Sequence, residues 1–94
     1  MFGMAAGNVF RIEIRKHCDK QIQKAPPKIR KAVSDALDEI RTDPYHNPNV
    51  KELKGKLAGI YRYQIGGYRL LYVVDEEDIV VIAVDFSTRG DVYK

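Results

Sequence analysis

The chain has 94 residues and a mass of 10.8 kDa, with 45% hydrophobic and 31% charged residues. A chain of that size buries only about 60–65% of its unfolded surface, enough for one modest core and too little for a second domain. A lone cysteine, Cys18, excludes an internal disulfide framework and a multi-cysteine zinc site, and the longest apolar runs, around Leu70–Val74 and Ile79–Val84, are too short to span a bilayer.

Residues 1–8 are small and apolar without period, and read as a loose extension ahead of a single domain over 9–94. They carry neither the basic start nor the long apolar stretch of a secretory signal, so a cytoplasmic setting is expected. The net charge of +3 is the remainder of segregated blocks: +6 over 11–31, −3 over 32–49, +4 over 50–74, −5 over 75–85 and +1 over 86–94. A fold that gathers the basic blocks acquires a polarised surface suited to an anionic partner.

Val9–Ile14 alternates, with Phe10, Ile12 and Ile14 on one side, and predicts a strand with one dry face. A short helix is expected from His17 to Lys24, ended by Ala25-Pro26-Pro27, because prolines cannot continue it but suit the first turn of the next. From Pro27 the apolar positions Ile29, Ala32, Val33, Ala36, Leu37 and Ile40 repeat at spacings of three and one, the mark of an amphipathic helix, stopped by Thr42-Asp43-Pro44. Lys28, Arg30 and Lys31 at its start and Asp38 and Glu39 toward its end oppose the helix dipole at a few tenths of a kcal/mol each, which supports an anionic partner at the basic end.

Residues 43–59 read as a loop of turn formers. Ile60–Ile65 and Tyr68–Val74 follow as strands around Gly66-Gly67, a type I′ hairpin signal in which both glycines take positive φ. The charged turn Asp75–Asp78 leads to a last strand, Ile79–Phe86. The order β-α-α-β-β-β predicts an α+β fold, a mostly antiparallel four-stranded sheet with both helices packed on one face.

A two-residue turn sets Ile65 opposite Tyr68, Gln64 opposite Arg69, Tyr63 opposite Leu70 and Arg62 opposite Leu71. Residues directly opposite share a face. Tyr61, Tyr63, Ile65, Tyr68, Leu70 and Tyr72 therefore form the helix-facing side. Arg62, Gln64, Arg69, Leu71 and Val73 form the other, where two forked guanidinium groups suit a phosphate clamp.

The stretch Leu53–Tyr93, with its leading LKG, the hairpin YRYQIGGYRLLY and the closing RGDVY, resembles the RelE/ParE superfamily of toxin–antitoxin toxins. The upstream KAPPKIRKAVSDALDEI resembles that family's N-terminal half. The terminal Arg-Gly-Asp-Val-Tyr favours the RelE-like branch. The resemblance implies a ribosome-dependent endoribonuclease that cleaves mRNA in the A site without a metal or other cofactor, by 2′-OH attack giving a 2′,3′-cyclic phosphate. It also implies a cognate antitoxin that silences the toxin in a hetero-oligomer.

Carried over by position, Arg69 stabilises the pentavalent phosphate, Arg62 is a second cation, Arg89 follows the last strand, and Tyr93 is a base or stacking partner. Tyr93 needs its ordinary pKa near 10 lowered to act as a base at neutral pH. Lys54 and Lys56 are expected to contact substrate phosphates beside Gln64, and Lys16, Lys20, Lys24, Lys28, Arg30 and Lys31 to bind ribosomal RNA backbone. Two positions depart from the pattern: Gln64 stands where some relatives carry a lysine, and Thr88 where many carry a histidine. His17, His46 and Cys18 fall on no motif position and read as structural. The alternatives are a non-enzymatic DNA gyrase inhibitor of the ParE type, and an inactive member acting only through antitoxin binding.

Overall fold

The computed structural model describes residues 9–88. In chain order the elements are β1 (Arg11–Ile14), α1 (Lys16–Gln23), α2 (Pro27–Thr42), β2 (Val50–Glu52), β3 (Ile60–Ile65), β4 (Tyr68–Asp75) and β5 (Val80–Thr88). The sheet has five strands in the order β1-β5-β4-β3-β2, antiparallel except where β1 runs parallel to β5. The α+β class and the mostly antiparallel sheet hold, but the expected four strands become five. The extra strand, β2, lies inside the expected 43–59 loop. Three residues are too few to show an alternating pattern. Main-chain pairing to β3 makes the strand, with Lys51 opposite Arg62 and Leu53 N donating to Ile60 O at 2.9 Å. A 3-10 turn, Gly55–Leu57, follows it.

Both helices lie on one face. Cys18, Ile22, Val33, Ala36 and Ile40 close over Tyr63, Leu70, Tyr72, Val81, Ala83 and Phe86. The α2 residues in this set are those that the three-and-one spacing selects. On β1 the expected dry side is only partly dry: Phe10 and Ile12 are half-buried, while Ile14 is 36% exposed. Among the described strands β1 has a single neighbour, β5, so its end lacks a second wall.

A core this rich in tyrosine stays satisfied because each hydroxyl reaches a partner at the rim. Tyr72 Oη donates to the Pro44 carbonyl at 2.6 Å, and Tyr63 Oη to Glu39 Oε1 at 2.6 Å. Glu39 also accepts from Asn47 Nδ2 at 2.7 Å. The unfavourable dipole placement of Glu39 therefore has a local cause: it ties the end of α2 to β3 and to the following loop.

The β3–β4 register is the one predicted from the sequence. The turn differs: Gly66 has φ +57° and Gly67 does not share the positive sign, the dihedral pattern of a type II′ turn. β5 also carries a β-bulge: Leu71 pairs with Asp85 but Tyr72 with Ala83, leaving Val84 as the extra residue. Because the side-chain period is two, this one residue moves Asp85 and Ser87 off the helix-facing side and brings Phe86 into the core. Among the described residues no helix is long and apolar enough to cross a membrane.

Candidate functional site

Among the described residues no helix covers the second face of the sheet. The pairing arranges two polar rows on it. One runs Lys51, Arg62, Leu71, Asp85 from β2 to β5, and the next runs Gln64, Arg69, Ser87. Beside them Ile60, Val73 and Ile82 form a half-buried apolar floor. The surface thus carries three cations on the β2–β3–β4 side and a carboxylate at the β5 end.

Arg69, the residue the sequence places at the centre, is only 4% exposed. Set between Gln64 and Ser87 in its row, it lies within the sheet surface rather than in solvent. Arg62 is half-buried; its Nε and Ser87 Oγ are shielded from water and bond to no described residue. Shielded donors of this kind favour a ligand that brings acceptor oxygens. Gln64 does other work: its Nε2 donates to the carbonyls of Gly66 at 2.7 Å and Tyr68 at 3.2 Å, bracing the hairpin.

Lys54 and Lys56 are exposed around the 3-10 turn, which Glu52 holds by accepting from Gly59 N at 3.1 Å. The structure does not set them in the two rows. Lys51 is there instead, on a strand whose three residues read as loop in the sequence. Arg89 and Tyr93 lie outside the described residues.

Of the basic helix residues, Lys16, Lys20, Lys24, Lys28 and Lys31 are exposed. Lys31 pairs with Asp35 at 3.4 Å. Arg30 is half-buried and turns inward, its Nη1 donating to Ala25 O at 2.8 Å across the α1–α2 connection. These residues belong to the helical layer, apart from the rows of the open face. Lys24 alone meets the end of β5, where it lines a hollow of about 280 Å³ with Gln21, Ala25, Tyr68, Phe86 and Thr88.

Cys18 is fully buried, and burial, with Asp85 and Asp19 adding to it, pushes its thiol up to about 12, so it is no thiolate nucleophile at neutral pH. His46 caps its own loop against Asp43 at 3.2 Å. His17, read from sequence as a structural helix residue, points its Nε2 at Asp85 Oδ1, 3.5 Å away, with two thirds of its side chain exposed. Among the described residues no three His, Cys, Asp or Glu side chains gather closely enough to hold a metal ion.

Comparison with known proteins bears on what this face belongs to. A family described as ParE toxin of type II toxin–antitoxin system, parDE, matches residues 11–92. Toxin RelG of Mycobacterium tuberculosis is 33% identical over 76 residues, 80% of this chain and 85% of that protein. Among solved structures, the RelBE2 toxin–antitoxin complex of Mycobacterium tuberculosis superposes with a TM-score of 0.75 at 28% identity, over 86% of this chain and 99% of the other. The RelE–RelB complex of Pyrococcus horikoshii superposes with a TM-score of 0.77 at 26% identity, over 88% and 98%.

Proposed function

Because the chain belongs to the RelE/ParE family of type II toxin–antitoxin toxins, we propose that it is a ribosome-dependent endoribonuclease cutting mRNA in the A site. The observation that carries this reading is the pair of cross-strand rows on a sheet face that no described helix covers, with Lys51, Arg62 and Arg69 gathered on it. Residues 9–94 act as one toxin unit.

The reaction joins a ribose 2′-oxygen to the adjacent phosphorus and expels the 5′-oxygen, leaving a 2′,3′-cyclic phosphate. The cost to be met is negative charge building on the equatorial oxygens. Arg69, fixed in the sheet surface, meets it with a planar fork, and Arg62 supplies the second set of donors. Arg89 supplies a further cation, and Tyr93 is the base for the 2′-hydroxyl. Lys54 and Lys56 steer the strand beside the site, and the exposed helix lysines contact ribosomal RNA backbone, the sequence-independent part of binding. A face this small has no walls of its own to orient an RNA, so the ribosome supplies positioning.

The relatives whose solved structures are toxin–antitoxin complexes support an antitoxin as the silencing partner, and the setting proposed for the pair is the cytoplasm. Primer extension on translated mRNA after a pulse of expression tests the proposal: cuts confined to A-site codons are expected, and intact message with growth arrest overturns it. The ParE description of the matched family favours one rival, a non-enzymatic gyrase inhibitor. That reading expects a DNA damage response and untouched message in the same experiment.

A further inference from the structure

The rows on the open face hold cations but no group that exchanges a proton readily near neutral pH. Arginine does not release one, and Lys51 sits opposite another cation. Expelling the 5′-oxygen requires an acid. Histidine is the side chain whose ordinary titration range suits the task. The two described histidines differ in place: His46 is bound to its own loop through Asp43, whereas His17 reaches from α1 to Asp85, the β5 end of one row.

Two features put it there. Arg15 N donates to Ala83 O at 2.9 Å, so β1 ends against β5 just before the bulge and α1 starts beside it. The bulge at Val84 then turns Asp85 onto the open face, in the row of Leu71, Arg62 and Lys51. The Asp85 carboxylate meets His17 Nε2 at 3.5 Å and leaves Nδ1 for another partner. Arg69, opposite Ser87, is the diagonal neighbour of Asp85, a separation of roughly 7–8 Å in sheet geometry. A phosphate held by the Arg69 guanidinium therefore lies one strand over from the carboxylate that His17 meets.

We infer that His17, oriented by Asp85, is the catalytic acid that protonates the departing 5′-oxygen. The inference rests on the nuclease reading above. In the step, the 2′-hydroxyl gives its proton to the base and its oxygen bonds to phosphorus. The P–O5′ bond breaks with its electron pair on O5′, and the proton on His17 Nδ1 passes to that oxygen. The products are a 2′,3′-cyclic phosphate and a free 5′-hydroxyl, with no change of oxidation state; His17 and the base exchange protons with solvent to reset. Asp85 is a positioning residue, touching the imidazole and not the RNA.

The test uses single-turnover cleavage on ribosomes carrying mRNA with the codon at which the wild-type protein is first found to cut. Two versions of the message are compared, one natural and one with sulfur replacing the bridging 5′-oxygen, a leaving group that departs without protonation. His17→Ala is expected to slow cleavage of the natural message about 10²–10³-fold. On the sulfur message it should come within about threefold of wild type. Asp85→Asn should lose about tenfold on the natural message and recover likewise. His17→Ala cutting the natural message at the wild-type rate overturns the inference, as does an equal loss on both messages. A wild-type protein that cuts neither message overturns the nuclease reading itself. His17 is exposed, and matched thermal melting of the variants is the expected control for folding.

Discussion

Lys51 and Arg62 stand directly opposite each other on neighbouring antiparallel strands, two cations sharing one face. Like charges so placed oppose folding by a few tenths of a kcal/mol. Lys51→Ala is therefore expected to raise the unfolding free energy by about 0.5 kcal/mol in urea titration. The same substitution should weaken ribosome binding and lower the slope of log Kd against log salt by about 0.7–1, one phosphate contact. A variant that is more stable and binds ribosomes with an unchanged salt slope shows that Lys51 touches no phosphate.

Arg69 couples site and fold because it is both buried and charged. Arg69→Ala is expected to cut the cleavage rate by about 10²–10³ and to lower stability by about 1–3 kcal/mol. Arg69→Lys should keep more of the stability but still lose at least about tenfold in rate, since one ammonium cannot offer two parallel donors. Single-turnover rates and denaturant midpoints measured on the same preparations separate the two effects. Full growth arrest by the alanine variant removes Arg69 from the chemistry.

The Tyr63–Glu39 bond joins β3 to the end of α2, with a carboxylate as acceptor. Tyr63→Phe should cost about 1–2 kcal/mol in chemical denaturation, more than an ordinary neutral bond, because the acceptor is charged. Cleavage by the folded fraction should stay close to wild type, since the hydroxyl lies on the side of the sheet away from the rows.

The pH dependence of stability has a distinct cause at each end. The backbone N–H of Tyr45, with that of His46 beside it, holds the Asp43 carboxyl below its usual 3.8 despite some desolvation. A lowered carboxyl pKa contributes stability that is present above the unfolded value and is lost as pH falls through it, so the midpoint should drop below about pH 4, and Asp43→Asn should flatten that limb. At the other end, burial raises Tyr72, Tyr45, Tyr63 and Tyr61 above 10.0. Raised pKa values give stability that is whole below the unfolded value and is lost as pH climbs past it. Urea midpoints should therefore decline from about pH 10 upward.

The hairpin glycines should behave differently. At Gly66 an added Cβ meets nothing within 4 Å but the backbone has φ +57°, so Gly66→Ala should cost about 1 kcal/mol from conformation alone. Gly67→Ala, without that constraint, should be neutral or gain a few tenths. Equal losses at both positions would point to the type I′ turn that the sequence suggests.

That contrast shows what could be read in advance. The α2 spacing and the glycine pair are local signals whose cause lies within a few residues, and they led to the register that sets Arg62 near Arg69. β2 and the bulge have no such cause. β2 exists because β3 offers a main-chain edge, so its side chains need not announce it. The run Val80-Val81-Ile82-Ala83-Val84 is apolar throughout, so it shows no phase, and the slip becomes visible only as Asp85 facing outward while Phe86 turns inward. Lys51 and the His17–Asp85 pair were hidden for these two reasons. Gln64, which looked like a site residue from its neighbours, is occupied by the turn.

The parallel pairing of β1 with β5 sets an order on the birth of the molecule. Among the described elements β1 is made first and the strand it pairs with last, with all the others between them. Such distant pairing is slow to form and cannot begin on a partly made chain. During its own synthesis the polypeptide therefore lacks the junction that ends β1 and seats α1 against β5. Until β5 has emerged, a nascent chain also lacks Asp85 and Ser87, the β5 ends of the two rows.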